Sequence, residues 1–487
     1  MRYLRLLTAF TAAGLWQGLR AQLDGAQPYL VDGSSTNLAT RQFQTIQDAF
    51  NALEANGVNG SNGPVIIRVV AGYDPNVEPN HLRLGGYNCT NGPCAVQVYI
   101  DIPVVLSKSP TTAQRFLLRL GGSPTHDLQN FALYGRGNLR LVENTNSATQ
   151  SAVIGISPRA GRTLSRIHID SVVIDGVNRT QTYAGVYVGD TVTLGNAIPT
   201  NSTVQQVQIT NCQITGARHG IYMRGAPNGQ VLAPVVSRCT IGIPEPVPNT
   251  PNTDASFGAG SGGGAAGGIY FFVTTGGAIE QNVIRNALQN GAPGAPGFAG
   301  IISDEATGLT IERNYVYNIR YTGTSGYGAT GIRVTAPSSG SANVIVRNNF
   351  ISRIGGDGDN NSLTSLHWMV SGIAVHAMAA NSNVGVQILH NSIHLFNDDS
   401  SSLGPDDLTT PPAGSTNSVV TGIALSSNVT GGVTISGNLI QNTHRRTASN
   451  ARAFGIVINA TSLAGSTINY NAYHINATVA GGNFIGR

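Results

Sequence analysis

One six-residue pattern, Ile/Val-x-x-Asn-x-Ile/Val, recurs along this chain and limits its fold more than any other feature. It runs from Ile279 to Ile284 around Asn282 and from Ile311 to Val316 around Asn314. It returns around Asn349, Asn391 and Asn438, with degenerate copies carrying Val172, Cys212, Cys239 and Asn471 at the Asn position. A second pattern alternates with it. Gly185-Val-Tyr-Val, Gly220-Ile-Tyr-Met, Gly268-Ile-Tyr-Phe and Gly300-Ile-Ile fall between successive copies, as do Gly331-Ile-Arg-Val, Gly372-Ile-Ala-Val, Gly422-Ile-Ala-Leu and Gly455-Ile-Val-Ile. Each reads as a short period-2 strand opened by glycine, as expected where a chain turns a corner.

Such strands are too short to bury a face alone. Stacked at the usual spacing of about 4.8 Å, they share one continuous core. The repeat therefore predicts an all-β solenoid, a parallel β-helix, whose rung holds a Gly-Ile-x-Val strand, a loop, a strand ending in Ile, a turn at Asn and a further strand. Asn residues at matching turns are placed to bond one to the next as a ladder. Cys212 and Cys239 hold that position in adjacent rungs and are expected to stack inside as small buried hydrophobes rather than as a disulfide. The 487 residues thus need not divide into several compact domains, and glycine, at 61 residues, reads as turns rather than disorder.

With these repeats the sequence resembles the pectin-lyase-like superfamily of right-handed parallel β-helices, and looks most like secreted β-helix repeat proteins of Bacteroidetes type. Phe43-Gln-Thr-Ile-Gln-Asp-Ala49 starts an amphipathic helix with Phe43, Ile46, Ala49, Phe50 and Leu53 on one face. In that superfamily such a helix plugs the N-terminal end of the coil. The expected organisation is a signal peptide over 1–21, an N-terminal segment with the capping helix over 22–63, and the β-helix over 64–487, with regular rungs over about 165–475. Arg2 and Arg5 ahead of an apolar run to Trp16 and a small residue at Ala21 give the pattern of a cleaved secretory leader, which predicts a secreted or cell-surface protein without membrane insertion. Loss of Arg2, Arg5 and Arg20 lowers the formal charge from +4 to +1, and no Lys/Arg run forms a phosphate-binding patch, so nucleic acid is not an expected partner. Cys89 and Cys94 flank a small turn and suit a disulfide in an oxidising compartment. The last rung runs straight into Gly481-Gly-Asn-Phe-Ile-Gly-Arg487, and the exposed strand edge expected there calls for a partner or a further segment.

The longest insertions, 244–267, 352–371 and 394–421, lie between the Asn turn and the next Gly-Ile strand, so they are expected to wall the Gly-Ile sheet. Alternation turns the third residue of each strand outward, giving Tyr187, Tyr222, Tyr270, Ile302, Arg333, Ala374, Ala424 and Val457. Two residues on, the column reads Gly189, Arg224, Phe272, Asp304, Thr335, His376, Ser426 and Asn459. Tyr187, Tyr222, Arg224, Tyr270 and Phe272 are the candidate binding surface, an aromatic strip suited to stacking on sugar rings. Asp304, Glu305, Arg333 and His376 are the candidate catalytic cluster for acid/base work. An exposed sheet with ordinary cross-strand stacking and a surface ion pair reads the same way.

The resemblance implies activity on polysaccharide by a lyase or glycoside hydrolase, but the superfamily's best-known signatures are missing. There is no Gly-His-Gly or Arg-x-Lys, Lys108 is the only lysine, and Tyr73-Asp74-Pro75-Asn76 lacks the His of an Asp-Pro-His motif. Asp357 and Asp359 in an acidic Gly-rich loop offer hard oxygen ligands for calcium, although such loops are more often solvated. No Cys/His spacing suggests zinc. The expected function is a secreted β-helix that binds, and has residues to cleave, extracellular polysaccharide along its Gly-Ile-x-Val sheet. A non-catalytic surface, adhesion or structural module is the alternative.

Overall fold

The computed structural model describes residues 22–486 except 112–113, 145–149, 177–180, 191–192, 228, 244–256, 259–264, 290, 293, 295, 322–326, 339, 357–368, 397–418, 447–451, 461 and 480–481. The chain winds as a right-handed parallel β-helix. Its first sheet has 12 parallel strands, from Leu82–Leu84 to Asn483–Gly486. It begins three strands before the first glycine-opened one and ends one strand after the last. A second set of strands precedes each Asn turn and a third follows it.

The repeat sets the register. Ile269, Ile301, Ile332, Ile373, Ile423 and Ile456 pair in order across the first sheet. Ile279, Ile311, Val346, Ile388, Ile435 and Ile468 do so in the second, and Ile284, Val316, Ile351, Ile393 and Ile440 in the third. Like stacks on like because rungs repeat in register. Nearly all these side chains are fully buried, which forms one interior core along the axis.

The expected Asn ladder forms. The Oδ1 of Asn314, Asn349, Asn391, Asn438 and Asn471 each accepts both the backbone N–H and the Nδ2 of the preceding ladder Asn, at 2.9–3.0 Å. Each Nδ2 also donates to a backbone carbonyl one rung back, as from Asn349 to Ile311 O at 2.9 Å. The residue before each ladder position is left-handed, including Gln281, Arg313, Asn348 and His390 at φ of 57°, 55°, 55° and 54°. The ladder's bonds to backbone hold the turn in a region that L-residues otherwise avoid. Cys212 and Cys239 sit in the same stack, buried and unbridged, while Cys89 and Cys94 form the disulfide.

The glycines opening the first-sheet strands are required by space, not by a corner. None of the eight has a positive φ. A Cβ at Gly268 would lie 2.6 Å from Ile284 Cγ2 and 2.8 Å from Gly300 O, and the other seven meet the corresponding residue of the third sheet in the same way. The glycine marks the closest approach of the first and third sheets.

The helix spans Ile46–Asn56, capped by the Thr45 side chain accepting from Asp48 N. Phe43 belongs instead to the short strand Gln42–Phe43, because the cap at Thr45 starts the helix only after it. Ile46, Ala49, Phe50 and Leu53 are buried, with the Phe50 ring edge-on to Phe131 at 6.1 Å. The Glu78 carboxylate accepts the N–H groups of Ile46 and Gln47 at the helix N-terminus, where the dipole favours negative charge.

Candidate functional site

The outward column of the first sheet points as alternation requires, but it does not reach solvent. Tyr187, Tyr222 and Tyr270 are 0%, 2% and 5% exposed. They form a second hydrophobic cluster with Phe116, Ala184, Leu194, Ala299 and Ile302, separate from the interior core. Further along, Ala374, Ala424, Phe454 and Val457 form a third with Met369 and Val419. The expected sugar-stacking strip is therefore corrected: these tyrosines are covered and cannot receive a pyranose ring. The segment around Gly195 closes over Tyr187 and Tyr222. Gly195 N donates to Tyr187 Oη at 3.0 Å, Tyr187 Oη donates to Asn196 O at 3.0 Å, and Tyr222 Oη donates to Gly195 O at 3.2 Å. Tyr187 and Tyr222 lie parallel at 5.7 Å, while Tyr270 crosses Tyr222 at 83°. The continuation of the column, Ile302, Arg333, Ala374, Ala424 and Val457, is apolar but for Arg333, and that was the signal that this face is a core.

The next column, at the sheet edge, is where polar groups gather. Asp304 ends the strand Phe298–Asp304 and is 7% exposed. Tyr270 Oη donates to its Oδ2 at 2.9 Å. Burial raises the Asp304 carboxyl above its ordinary value, against the Tyr270 hydrogen bond and the nearby positive charge of Arg333. Glu305 follows in a left-handed turn at φ 51°. Its pKa is also raised, by burial first and then by the charge of Asp304. Arg333, one rung on and 3% exposed, is lowered to about 10 by burial, with the Asp304 charge opposing. Its Nε and Nη1 have no hydrogen-bond partner among the described residues.

Around this core of charge the edge is half-open. Arg224 lies 4.5 Å over the half-buried Phe272 ring and donates to Gly195 O. Register carries the column from Arg224 through Phe272, Asp304 and Thr335 to the half-buried His376. His376 Nδ1 bonds Ser426 Oγ at 2.9 Å. Asp304, Glu305 and Arg333 are thus brought together, with Arg224 and Phe272 beside them, while His376 stands two rungs from Asp304. Tyr270 joins this group as a hydrogen-bond donor rather than as a platform.

Asp357 and Asp359 lie outside the described residues, and among those described no group of three or more His, Cys, Asp or Glu could hold a metal ion. No described helix is long and apolar enough to cross a membrane. Sequence reading missed a second buried carboxyl, Glu143, 2% exposed, which accepts from Ser151 Oγ and from Thr182 Oγ1 at 2.7 Å.

No family profile matches the chain, and no curated protein matches it. Among solved structures it is similar to the Dettilon tailspike protein, at 13% identity over 91% of this chain and 66% of that one, with a TM-score of 0.40. It is also similar to the DFA-IIIase of Arthrobacter chlorophenolicus A6, at 11% identity over 92% and 99% of the two chains, TM-score 0.37. The A-module of a mannuronan C-5 epimerase from Azotobacter vinelandii gives 15% identity over 91% and 99%, TM-score 0.27. The chain spans about two thirds of the tailspike's length. These likenesses are distant, and the fold assignment stands on the strand pairings themselves.

Proposed function

We propose that this is a secreted protein that binds extracellular polysaccharide at the edge of the first sheet, with Asp304 as the proton donor to a glycosidic oxygen. Arg224, Phe272 and Glu305 line the approach. One observation carries this reading: a carboxyl raised by burial and gripped by Tyr270 lies beside Arg333, whose buried Nε and Nη1 donors have no described protein acceptor. Buried N–H groups are normally satisfied, and exceptions concentrate where a ligand completes the set. A carboxyl whose affinity for its proton is raised by burial suits general acid catalysis. The edge runs along a regular solenoid, a shape matched to a linear polymer. The N-terminal leader pattern and the Cys89–Cys94 disulfide support an extracellular setting.

The test incubates residues 22–487 with acidic and neutral polysaccharides, with and without calcium, following reducing ends and the ultraviolet absorbance of unsaturated products. D304N should lower product formation at least 100-fold while circular dichroism stays unchanged. Activity should fall as pH rises through the raised Asp304 value, because the donor must be protonated. Binding without product would refute proton donation and leave a surface adhesion module. Equal behaviour of D304N and wild type would remove this edge as the site.

A further inference from the structure

The eight strand-opening glycines of the first sheet obey a second constraint, and the next residue in that line breaks it. A Cβ on each glycine would meet the carbonyl oxygen of its counterpart one rung further on. Gly185 would meet Gly220 O, Gly300 would meet Gly331 O and Gly422 would meet Gly455 O, and all eight distances fall within 2.6–2.9 Å. A Cα–Cβ bond at this position therefore points along the solenoid axis, toward the next rung. The strand Asn483–Gly486 pairs Phe484 with Phe454 and Gly486 with Ile456, which puts Ile485 in line with Gly455. A further strand in the same register would bring its carbonyl oxygen under 3.0 Å from the Ile485 Cβ, closer than packed atoms approach. Ile485 is thus a stop, and the first sheet does not extend past it in register.

The rung that carries this stop is open. Ile468 and Tyr473 take the places that Ile435 and Ile440 hold one rung earlier. Those two isoleucines are fully buried, whereas Ile468 is 37% exposed and Tyr473 is half-buried. Tyr470, Phe484 and Ile485 on the same rung are exposed. Together with Ile468 they leave on the order of 500 Å² in solvent, as much as the largest apolar patch of a typical monomer. Exposed Asn469, Asn476 and Asn483 add polar groups to this rung. From Leu463 to Gly486 the chain has no Asp, Glu, Lys or Arg.

We propose that this end is the interface of a two-fold, tail-to-tail homodimer in which the last rung packs side chain to side chain against its copy. The proposal goes beyond the polysaccharide reading and uses none of its residues. Three features select a second copy as the occupant. An uncharged face meets its own copy without like-charge repulsion. The other end of the solenoid does not fit it, because the helix Ile46–Asn56 closes that end and carries Gln47, Asp48 and Asn51 on its solvent side. Contact of like with like closes at two copies. Two such ends with their polar groups bury on the order of 1,200 Å², the lower bound for a specific, stable interface. Ile485 also keeps the strand edge from adding strands without limit.

The experiment is analytical ultracentrifugation of residues 22–487 from about 1 to about 100 μM, a range that brackets micromolar dissociation constants. Wild type should reach a dimer within that range, and D304N should match it. I485D and Y470D, both at exposed positions, should each raise the concentration of half-dimerisation at least 10-fold, with thermal melting to show that they fold. Nitroxide labels at H474C, exposed on the last rung, should show dipolar coupling between copies. Labels at A55C stand about 50 Å from the interface in each copy, given 12 first-sheet strands, and should show none. A wild type still monomeric at the highest concentration would overturn the proposal, as would a dimer that both I485D and Y470D leave intact. Species that grow beyond two copies with concentration, or coupling between A55C labels, would overturn the two-fold arrangement.

Discussion

Replacing Asn349 by Ala tests whether the ladder holds the turns or merely decorates them. Asn349 is 1% exposed, and its Oδ1 accepts both Asn314 N–H and Asn314 Nδ2 at 3.0 Å. Its Nδ2 donates to Ile311 O at 2.9 Å, Arg347 O at 3.1 Å and Asn391 Oδ1 at 3.0 Å. After truncation Asn314 Nδ2 keeps its bond to Ile279 O, and Asn391 Oδ1 keeps the Asn349 backbone N–H. The Asn314 backbone N–H loses its partner and is left buried. One orphaned buried donor costs about 1–3 kcal/mol, and the remaining lost bonds bring the sum to about 3 kcal/mol. A long solenoid need not unfold in two states, so a global midpoint would blur this effect. Hydrogen exchange at the Asn314 amide reads it directly, and about 3 kcal/mol corresponds to exchange faster on the order of 100-fold. Asn349→Cys, which copies Cys212 and Cys239, should cost less than Ala, because a thiol at this position reaches a carbonyl as Cys239 Sγ reaches Ile209 O at 3.4 Å. Exchange within about threefold of wild type in Asn349→Ala would refute the reasoning, since no orphaned donor would then exist.

Further perturbations follow from the same geometry. Gly268→Ala should destabilise by about 1–3 kcal/mol, because its Cβ would meet Gly300 O and Ile284 where neither sheet can retreat; urea melts should show a lower midpoint. Burial raises the Glu143 pKa, with Ser151 and Thr182 opposing. Its stabilising contribution is complete below the unfolded carboxyl value near about 4.3 and is lost as pH rises through the folded value. Glu143→Gln should therefore melt higher than wild type at pH 7 and show a flatter midpoint between pH 4 and 7. Tyr270→Phe removes a hydrogen bond that favours the charged form of Asp304, so the falling limb of any pH–activity profile should move to higher pH. Reducing Cys89–Cys94 should cost no more than about 2 kcal/mol, because the closed loop is short; a larger loss in a thermal melt would contradict this.

The amino-acid sequence by itself determined the solenoid. Period-2 strands with Ile or Val at fixed offsets can bury themselves only by stacking, and Asn at matching turns has its hydrogen-bond partner one rung away. It also determined which way Tyr187, Tyr222, Tyr270, Asp304 and Arg333 point, because alternation is a local property of a strand. What lies beyond an outward side chain is not local. The covering of Tyr187 and Tyr222 involves the segment around Gly195 folding back onto their hydroxyls, and no periodicity encodes that return. The glycines were visible in the sequence, but their reason was not: the collision they avoid is with Ile284 and its counterparts on another sheet. Tertiary structure decided which outward faces meet water, because exposure depends on what the rest of the chain places above a residue.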